Sequence, residues 1–280
     1  MLNAGVAEGK AGNFNKTLKL YTKSIPLLPQ DFLWIAYYNR SVLYEYDLND
    51  YQKALNDINN AIDMHPNNAT LYGERGLIYS DLHNKAEAFK NYNKAIDMGS
   101  TNYIDYCNRG KEYDAEDEEG KAIEDFKKCL ELKPDLIPGH LRIIDALLNS
   151  KRFVEARSYI TKFSNLTPPN DPIGYQIYYL LDEGELNYLE KKYEQAIPFF
   201  ENAFDLYKQR LQKGEATEDF YRISNGYYGL ITSYEMTDQY KMGLKRSYEL
   251  LELAKKNHDE KVIKGAKEDA SYFENILKGK

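Results

Sequence analysis

The side chains of this 280-residue sequence that could do chemistry are four histidines, two cysteines and one dense run of carboxylates. A zinc hydrolase places two histidines one helical turn apart with a glutamate beside them. His65, His83, His140 and His258 are instead dispersed, His65 standing before Pro66 and His83 in a turn, so surface or packing roles are expected. The run Asp114, Glu116, Asp117, Glu118 and Glu119 has the charge for calcium, but it lacks the alternating oxygen ligands and central glycine of a calcium loop. It reads as a solvated turn. Gly5, Gly9 and Gly12 lie on a helical segment with no strand before it, which makes no phosphate cradle. Two cysteines, Cys107 and Cys129, cannot build a disulfide framework or a thiolate metal site by themselves. No catalytic set, metal or cofactor is expected, and the chain reads as a protein that is not an enzyme.

Composition narrows the partners. Lys and Arg number 37 against 44 Asp and Glu, a net charge of −7, and residues 31–140 alone hold 21 acidic and 12 basic side chains. That balance disfavours nucleic acid, whose binders carry a basic stripe, and favours a partner bearing Lys or Arg. A mean hydropathy of −0.68 excludes an integral membrane protein, while 26 Tyr and 11 Phe exclude a disordered chain. Residues 1–8 show neither a basic start nor an apolar run, so a cytoplasmic location is expected; an export signal or lipoprotein anchor removed upstream would leave no trace.

Elements that could position a site emerge from internal repetition. Ala61-Ile62-Asp63-Met64 recurs as Ala95-Ile96-Asp97-Met98, and Asn39-Arg40-Ser41 is echoed by Glu74-Arg75-Gly76 and Asn108-Arg109-Gly110, a period near 34. Extending the period gives a column of mostly small residues at Thr17, Ala54, Ala88, Ala122, Ala156, Ala196 and Gly243. Four positions later stand Tyr21, Ile58, Tyr92, Phe126, Ile160, Phe200 and Ser247, and three further on Ser24, Ala61, Ala95, Cys129, Phe163, Ala203 and Leu250. Spacings of i, i+4 and i+7 describe one face of a helix, and Pro29, Pro66, Pro134 and Pro168 mark stops. A second helical segment precedes each column, as at Tyr72, Gly76 and Tyr79, so each unit is two antiparallel helices. In this frame Cys129 is inert core and Cys107 lies on the groove side of a first helix.

The pattern resembles the tetratricopeptide repeat family, most cleanly in Tyr72, Gly76, Tyr79, Ala88, Tyr92 and Ala95, then in Tyr106, Gly110, Tyr113, Ala122, Phe126 and Pro134. The resemblance implies an all-α fold, an α-α superhelix: a right-handed solenoid of about seven helix-turn-helix repeats. Units are expected at about 1–30, 31–67, 68–101, 102–135, 136–172, 173–222 and 223–258, followed by a C-terminal capping helix over 259–280. The cap follows from Val262, Ile263, Ala266, Ala270, Phe273, Ile276 and Leu277, one apolar stripe opposite Lys261, Lys264, Lys267 and Glu268. Extra residues at Asp47-Leu48-Asn49-Asp50, a long helix from about Tyr193 to Lys213 and the polar loop from Gly214 to Asp219 depart from the pattern.

The family implies a non-enzymatic scaffold or adaptor that binds a protein or peptide segment in a groove lined by first helices. The alternative is a peptide-sensing regulator resembling bacterial intracellular pheromone receptors. Groove positions are expected at Tyr38, Asn39, Val42, Tyr46, Glu74, Leu77, Asp81, Asn108, Lys111, Arg142 and Asp145, with Asn39 and Asn108 suited to an extended peptide backbone. The family's clamp for chaperone C-terminal tails uses Lys, Asn, Asn, Lys and Arg. Here Asn39 matches, but Leu2, Val6, Thr70 and Glu74 stand at the other four places, which argues against such a tail.

Overall fold

The computed structural model describes residues 2–166, 171–216 and 219–279; Pro168, Thr217 and Glu218, which the sequence reading used, lie outside the described residues. Among the described residues there is no strand, and no helix is long and apolar enough to cross a membrane. Two compact units divide the chain at residue 142. The first holds α1 (Leu2–Lys10), α2 (Phe14–Ser24), α3 (Gln30–Val42), α4 (Tyr51–Met64), α5 (Ala69–Asp81), α6 (Lys85–Asp97), α7 (Tyr103–Asp114) and α8 (Glu119–Leu132). α9 (Ile137–Asn149) runs across the division. The second holds α10 (Phe153–Ser164), α11 (Pro172–Leu189), α12 (Tyr193–Lys213), α13 (Phe220–Met236), α14 (Tyr240–Lys256) and α15 (Glu260–Leu277).

Helix pairs form because each turn between them has one residue in the left-handed region: Gly12, Asn49, His83, Asp117, Lys151, Lys191, Asp238 and His258. The following N–H closes a wide bond to the carbonyl five residues back, as Asn84 to Tyr79 at 2.8 Å and Glu118 to Tyr113 at 2.9 Å, which satisfies a carbonyl left open by the ending helix. In the second repeat this bond spans six residues, Asp50 to Tyr44, because a π-helical turn over Leu43–Asp47 takes up the surplus residue. The surplus therefore sits in the last turn of the first helix rather than in the loop at residues 47–50 expected from sequence.

The three columns form the core. All seven residues of each are buried, and Tyr92, Phe126, Phe163 and Phe200 are among the largest side chains fully removed from solvent. Burial of each such ring contributes about 2–3 kcal/mol. The glycines face these rings: a Cβ on Gly76 would stand 2.7 Å from the Tyr92 ring, and one on Gly110 2.8 Å from Phe126. Tyr72 and Tyr106 donate to the carbonyls of Pro66 and Ser100 at 3.0 and 3.1 Å, and His140 occupies the same repeat position, its Nε2 2.9 Å from the carbonyl oxygen of Pro134. With His65 against Trp34, ring centroids 5.0 Å apart, every histidine has a packing or turn role.

Arginines tie neighbouring pairs together. Arg40 binds Asp57 through two hydrogen bonds of 2.6 and 2.8 Å and Thr22 at 3.2 Å. Arg75 reaches Asn91 at 2.8 Å and Asn59 at 2.9 Å. Arg109 binds both oxygens of Asp125 at 2.7 Å and Asn93 at 2.9 Å. Each arginine thus joins the second helix of its own pair to the second helix of the pair before.

One expectation is corrected. Cys107 and Cys129 are joined in a disulfide between α7 and α8, with Cα atoms 5.3 Å apart, so neither is a separate thiol. A small-residue column facing the first helix at this distance is the geometry that a disulfide needs. In the second unit Phe200 packs between Gly184 and Gly229, Phe204 stacks on Tyr227 at 3.8 Å, and the α15 stripe of Val262, Ala266, Ala270 and Phe273 is buried, with Phe273 under Gly243.

Candidate binding face of the first unit

The first helices α3, α5 and α7 supply most of the expected groove residues. Tyr38, Asn39, Val42, Glu74 and Leu77 are half-buried, Asp81 and Lys111 are exposed, and Tyr46 keeps 57% of its surface. Asn108 is buried at 8% exposure, so its amide presents little surface to a partner. Lys111, Arg142 and Asn108 border a hollow of about 230 Å³ with Cys107, Phe126 and Pro138. Partial desolvation there, then the neighbouring Arg142, holds the Lys111 ammonium below its usual range.

Asp145 belongs to the second unit and is engaged within it. Both of its oxygens lie 2.8 Å from Arg222, whose guanidinium also binds Asp182 and lies 5.4 Å from the Tyr178 ring centre. Arg222 thereby neutralises carboxylates on α9 and α11 from its place on α13.

Sequence reasoning missed two acidic residues of the first unit, Glu45 and Asp105. Each is only 1% exposed. The π-helical turn at the end of α3 carries Glu45 against Glu74 of α5. Asp105 on α7 packs on the backbone of α5 at Gly73, where no side chain intervenes. Its Oδ2 accepts from Ser100 at 2.5 Å, its Oδ1 is buried without a hydrogen-bond partner, and the buried carboxyls of Glu45 and Glu74 share a hydrogen bond with each other. Burial, then the charge of Glu74 and the hydrogen bond shared with it, then the charge of Asp81, raises the Glu45 carboxyl far above the usual carboxylate range. Burial also raises Glu74 and Asp105. Tyr38, beside all three, is pushed up to about 12 by burial and then by their charges. Without a counter-cation such a group stays partly protonated, because like charges in a desolvated place cannot all ionise. Among the described residues no three His, Cys, Asp or Glu side chains are arranged to hold a metal ion.

The only sequence signal for this cluster is indirect: a repeat lengthened just after an acidic residue. The expected run at Asp114–Glu119 is a turn, with Glu119 opening α8, and Asp117 in the left-handed region.

Comparison with known proteins bears on the fold. The family profile described as tetratricopeptide repeat matches residues 35–68, 69–99 and 106–136. No curated protein sequence matches the chain. Among solved structures, the chain is similar to PilF of Pseudomonas aeruginosa at 18% identity and a TM-score of 0.60, covering 78% of this chain and 96% of that one. It is similar to YrrB, described as a TPR protein with an unusual peptide-binding site, at 20% identity and a TM-score of 0.58, covering 68% and 94%. PilW, a type IV pilus biogenesis factor, gives 16% identity and a TM-score of 0.58 over 80% and 95%. At these identities the likeness is one of fold.

Proposed function

This chain is a tetratricopeptide repeat protein, and we propose that it is a non-enzymatic scaffold that holds an extended segment of a partner protein on the first-helix face of residues 30–114. The observation that carries the reading is the face itself. Half-buried Tyr38 and exposed Tyr46 stand beside the buried, mutually hydrogen-bonded carboxyls of Glu45 and Glu74, with half-buried Asn39 on the same helix as Tyr38. A face built only for stability would have replaced one of the two glutamates, because carboxyls buried against each other cannot both ionise near neutral pH. The peptide-binding site of YrrB, which shares the fold, supports the same use of it here.

A photo-crosslinking amino acid at position 46 tests this. With a mixture of unstructured peptides it should label peptide more strongly than the same group at Val154, which is 87% exposed in the second unit. Equal labelling at the two positions would sink the reading.

The disulfide supports an oxidising compartment in place of the cytoplasm expected from sequence, since cytosolic thiols are kept reduced. Alkylation of the natural protein before any reduction should leave Cys107 and Cys129 unmodified. Modification of both would return the chain to a reducing compartment.

A further inference from the structure

Arg40, Arg75 and Arg109 occupy one repeat position, and their partners Asp57, Asn91 and Asp125 occupy another. The outer two arginines have a counter-charge within the chain. Arg40 and Arg109 each close Nε and Nη2 on both oxygens of an aspartate, whereas Asn91 accepts from Arg75 Nε at 2.8 Å and turns its own amide N–H to the carbonyl of Glu87 at 2.8 Å. Among the described residues no carboxylate pairs with Arg75, and its Nη2 meets no acceptor. Beside this guanidinium lies an open hollow of about 500 Å³ whose walls include Tyr72, Arg75, Phe89, Lys90, Lys94 and Asp97, on α5 and α6. Arg75 and Lys94 flank the Tyr72 ring, 5.4 and 5.9 Å from its centre. Lys90 is paired with Glu87 at 3.3 Å, and Asp97 shares the wall with Lys94, so the hollow keeps one positive charge in excess.

We propose that this hollow binds a small ring-bearing carboxylic acid, its carboxylate held between Arg75 and Lys94 and its apolar body against Tyr72 and Phe89. One charge in excess suits a monoanion. The planar fork of a guanidinium matches a carboxylate, and a carboxylate is what the equivalent arginines of the repeats on either side hold. The ligand thus supplies to Arg75 the charge that Asp57 and Asp125 supply to Arg40 and Arg109. A volume of about 500 Å³ lies in the range of small-molecule sites, and the half-buried rings of Tyr72 and Phe89 give the apolar wall such sites use. None of the expected groove residues borders the hollow, so the assignment stands apart from the peptide-binding reading.

The test is a fluorine NMR titration of the full chain with para-fluorobenzoate, and with para-fluorobenzamide as the uncharged probe of the same shape. The benzoate should bind about tenfold more tightly than the amide. Asn91→Asp, which supplies the counter-charge from within as Asp125 does for Arg109, should erase that preference and leave the amide unaffected. Arg75→Gln should erase it as well. Lys264→Gln, which removes an exposed positive charge from α15, should leave the preference intact and so separates the hollow from net charge. Circular dichroism confirms folding, and Asn91→Asp repeats a pair that the chain already uses in the next repeat. Equal binding of the two probes, binding of neither, or a benzoate preference that survives in both Asn91→Asp and Arg75→Gln would overturn the proposal. Inorganic phosphate displacing the benzoate at equal concentration would overturn the carboxylate assignment. Tighter binding of N-acetylaspartate methylamide, an acidic side chain on a peptide backbone, would overturn the small acid in favour of a partner protein.

Discussion

Gly110→Ala measures how tightly the repeat is packed. The added Cβ would lie 2.8 Å from Phe126 Cε1, 2.9 Å from Cδ1 and 3.3 Å from the Asp125 Cβ. Carbon atoms rest about 3.5–4.0 Å apart, so the ring or the helix must yield by about 0.7 Å. Phe126 is fully buried and has nowhere to swing. Overpacking of this kind costs about 1–3 kcal/mol, against a gain of about 1 kcal/mol from alanine's higher helix propensity, leaving a net loss of about 0–2 kcal/mol, toward the upper end because the ring is fully enclosed. Gly120→Ala is the control, since a Cβ there meets nothing within 4 Å and should gain about 0.5–1 kcal/mol. Urea unfolding followed by circular dichroism should therefore separate the two variants by about 2 kcal/mol. The second repeat suggests a rescue, because Ser41 stands where Gly110 does and its column partner is the smaller Ile58. Phe126→Ile and Gly110→Ala should each destabilise the protein, and together by about 1 kcal/mol less than their sum. Additive losses, or a Gly110→Ala protein as stable as Gly120→Ala, would refute the size complementarity.

Four other outcomes follow from the same structure. Arg109→Met leaves Asp125, 7% exposed at its side chain, without a counter-charge and should cost about 3–5 kcal/mol in thermal unfolding, whereas Asp125→Asn reproduces the Arg75–Asn91 pair and should cost about 1 kcal/mol. Because Glu45 holds its proton more tightly when folded than when unfolded, its contribution is fully present below about pH 4 and is lost as pH rises toward its raised pKa. The Tm advantage of Glu45→Gln over the parent should widen from pH 5 to pH 9; a constant difference would contradict the assignment. Reducing the disulfide, whose cysteines are 22 residues apart, should lower stability by about 3 kcal/mol in a denaturant titration. Deleting residues 259–280 strips α15 from the buried face under Gly243 and should lower Tm and promote association in light scattering, so an unchanged monomer would make α15 a passive tail.

The repeat and its core were legible because a helix pair writes its packing into fixed intervals: Ala88, Tyr92 and Ala95 are three positions on one face, and the same intervals return at Ala122, Phe126 and Cys129. The arginines were visible only as an echo. Nothing in Arg75 or Arg109 announces a bond to Asn59 or Asn93, which depends on how consecutive pairs stack. The disulfide escaped for a related reason: Cys129 fits its packing column as a small apolar residue, and only the spacing across the pair brings Cys107 to it. Glu45 was hidden because its burial depends on the π-helical turn, which sequence registers merely as a surplus residue whose location is open. Asn108 and Asp145 were read as groove positions from their repeat register, but register fixes a helix face and not the neighbour that covers it.

Arg40 and Arg109 divide their bonds unequally, unlike Arg75. Each gives two bonds to the carboxylate of an aspartate inside its own helix pair and one bond to an uncharged acceptor, Thr22 or Asn93, across to the pair before. The paired opposite charges attract where the third acceptor carries none, so resistance to deformation is concentrated within these two hairpins and relaxed at their seams. Mechanically this makes the stack a run of stiff links joined by compliant joints. A segment lying along α3, α5 and α7 could be accommodated by small rotations at those joints, each straining one bond to an uncharged acceptor while the Arg40–Asp57 and Arg109–Asp125 ion pairs stay closed.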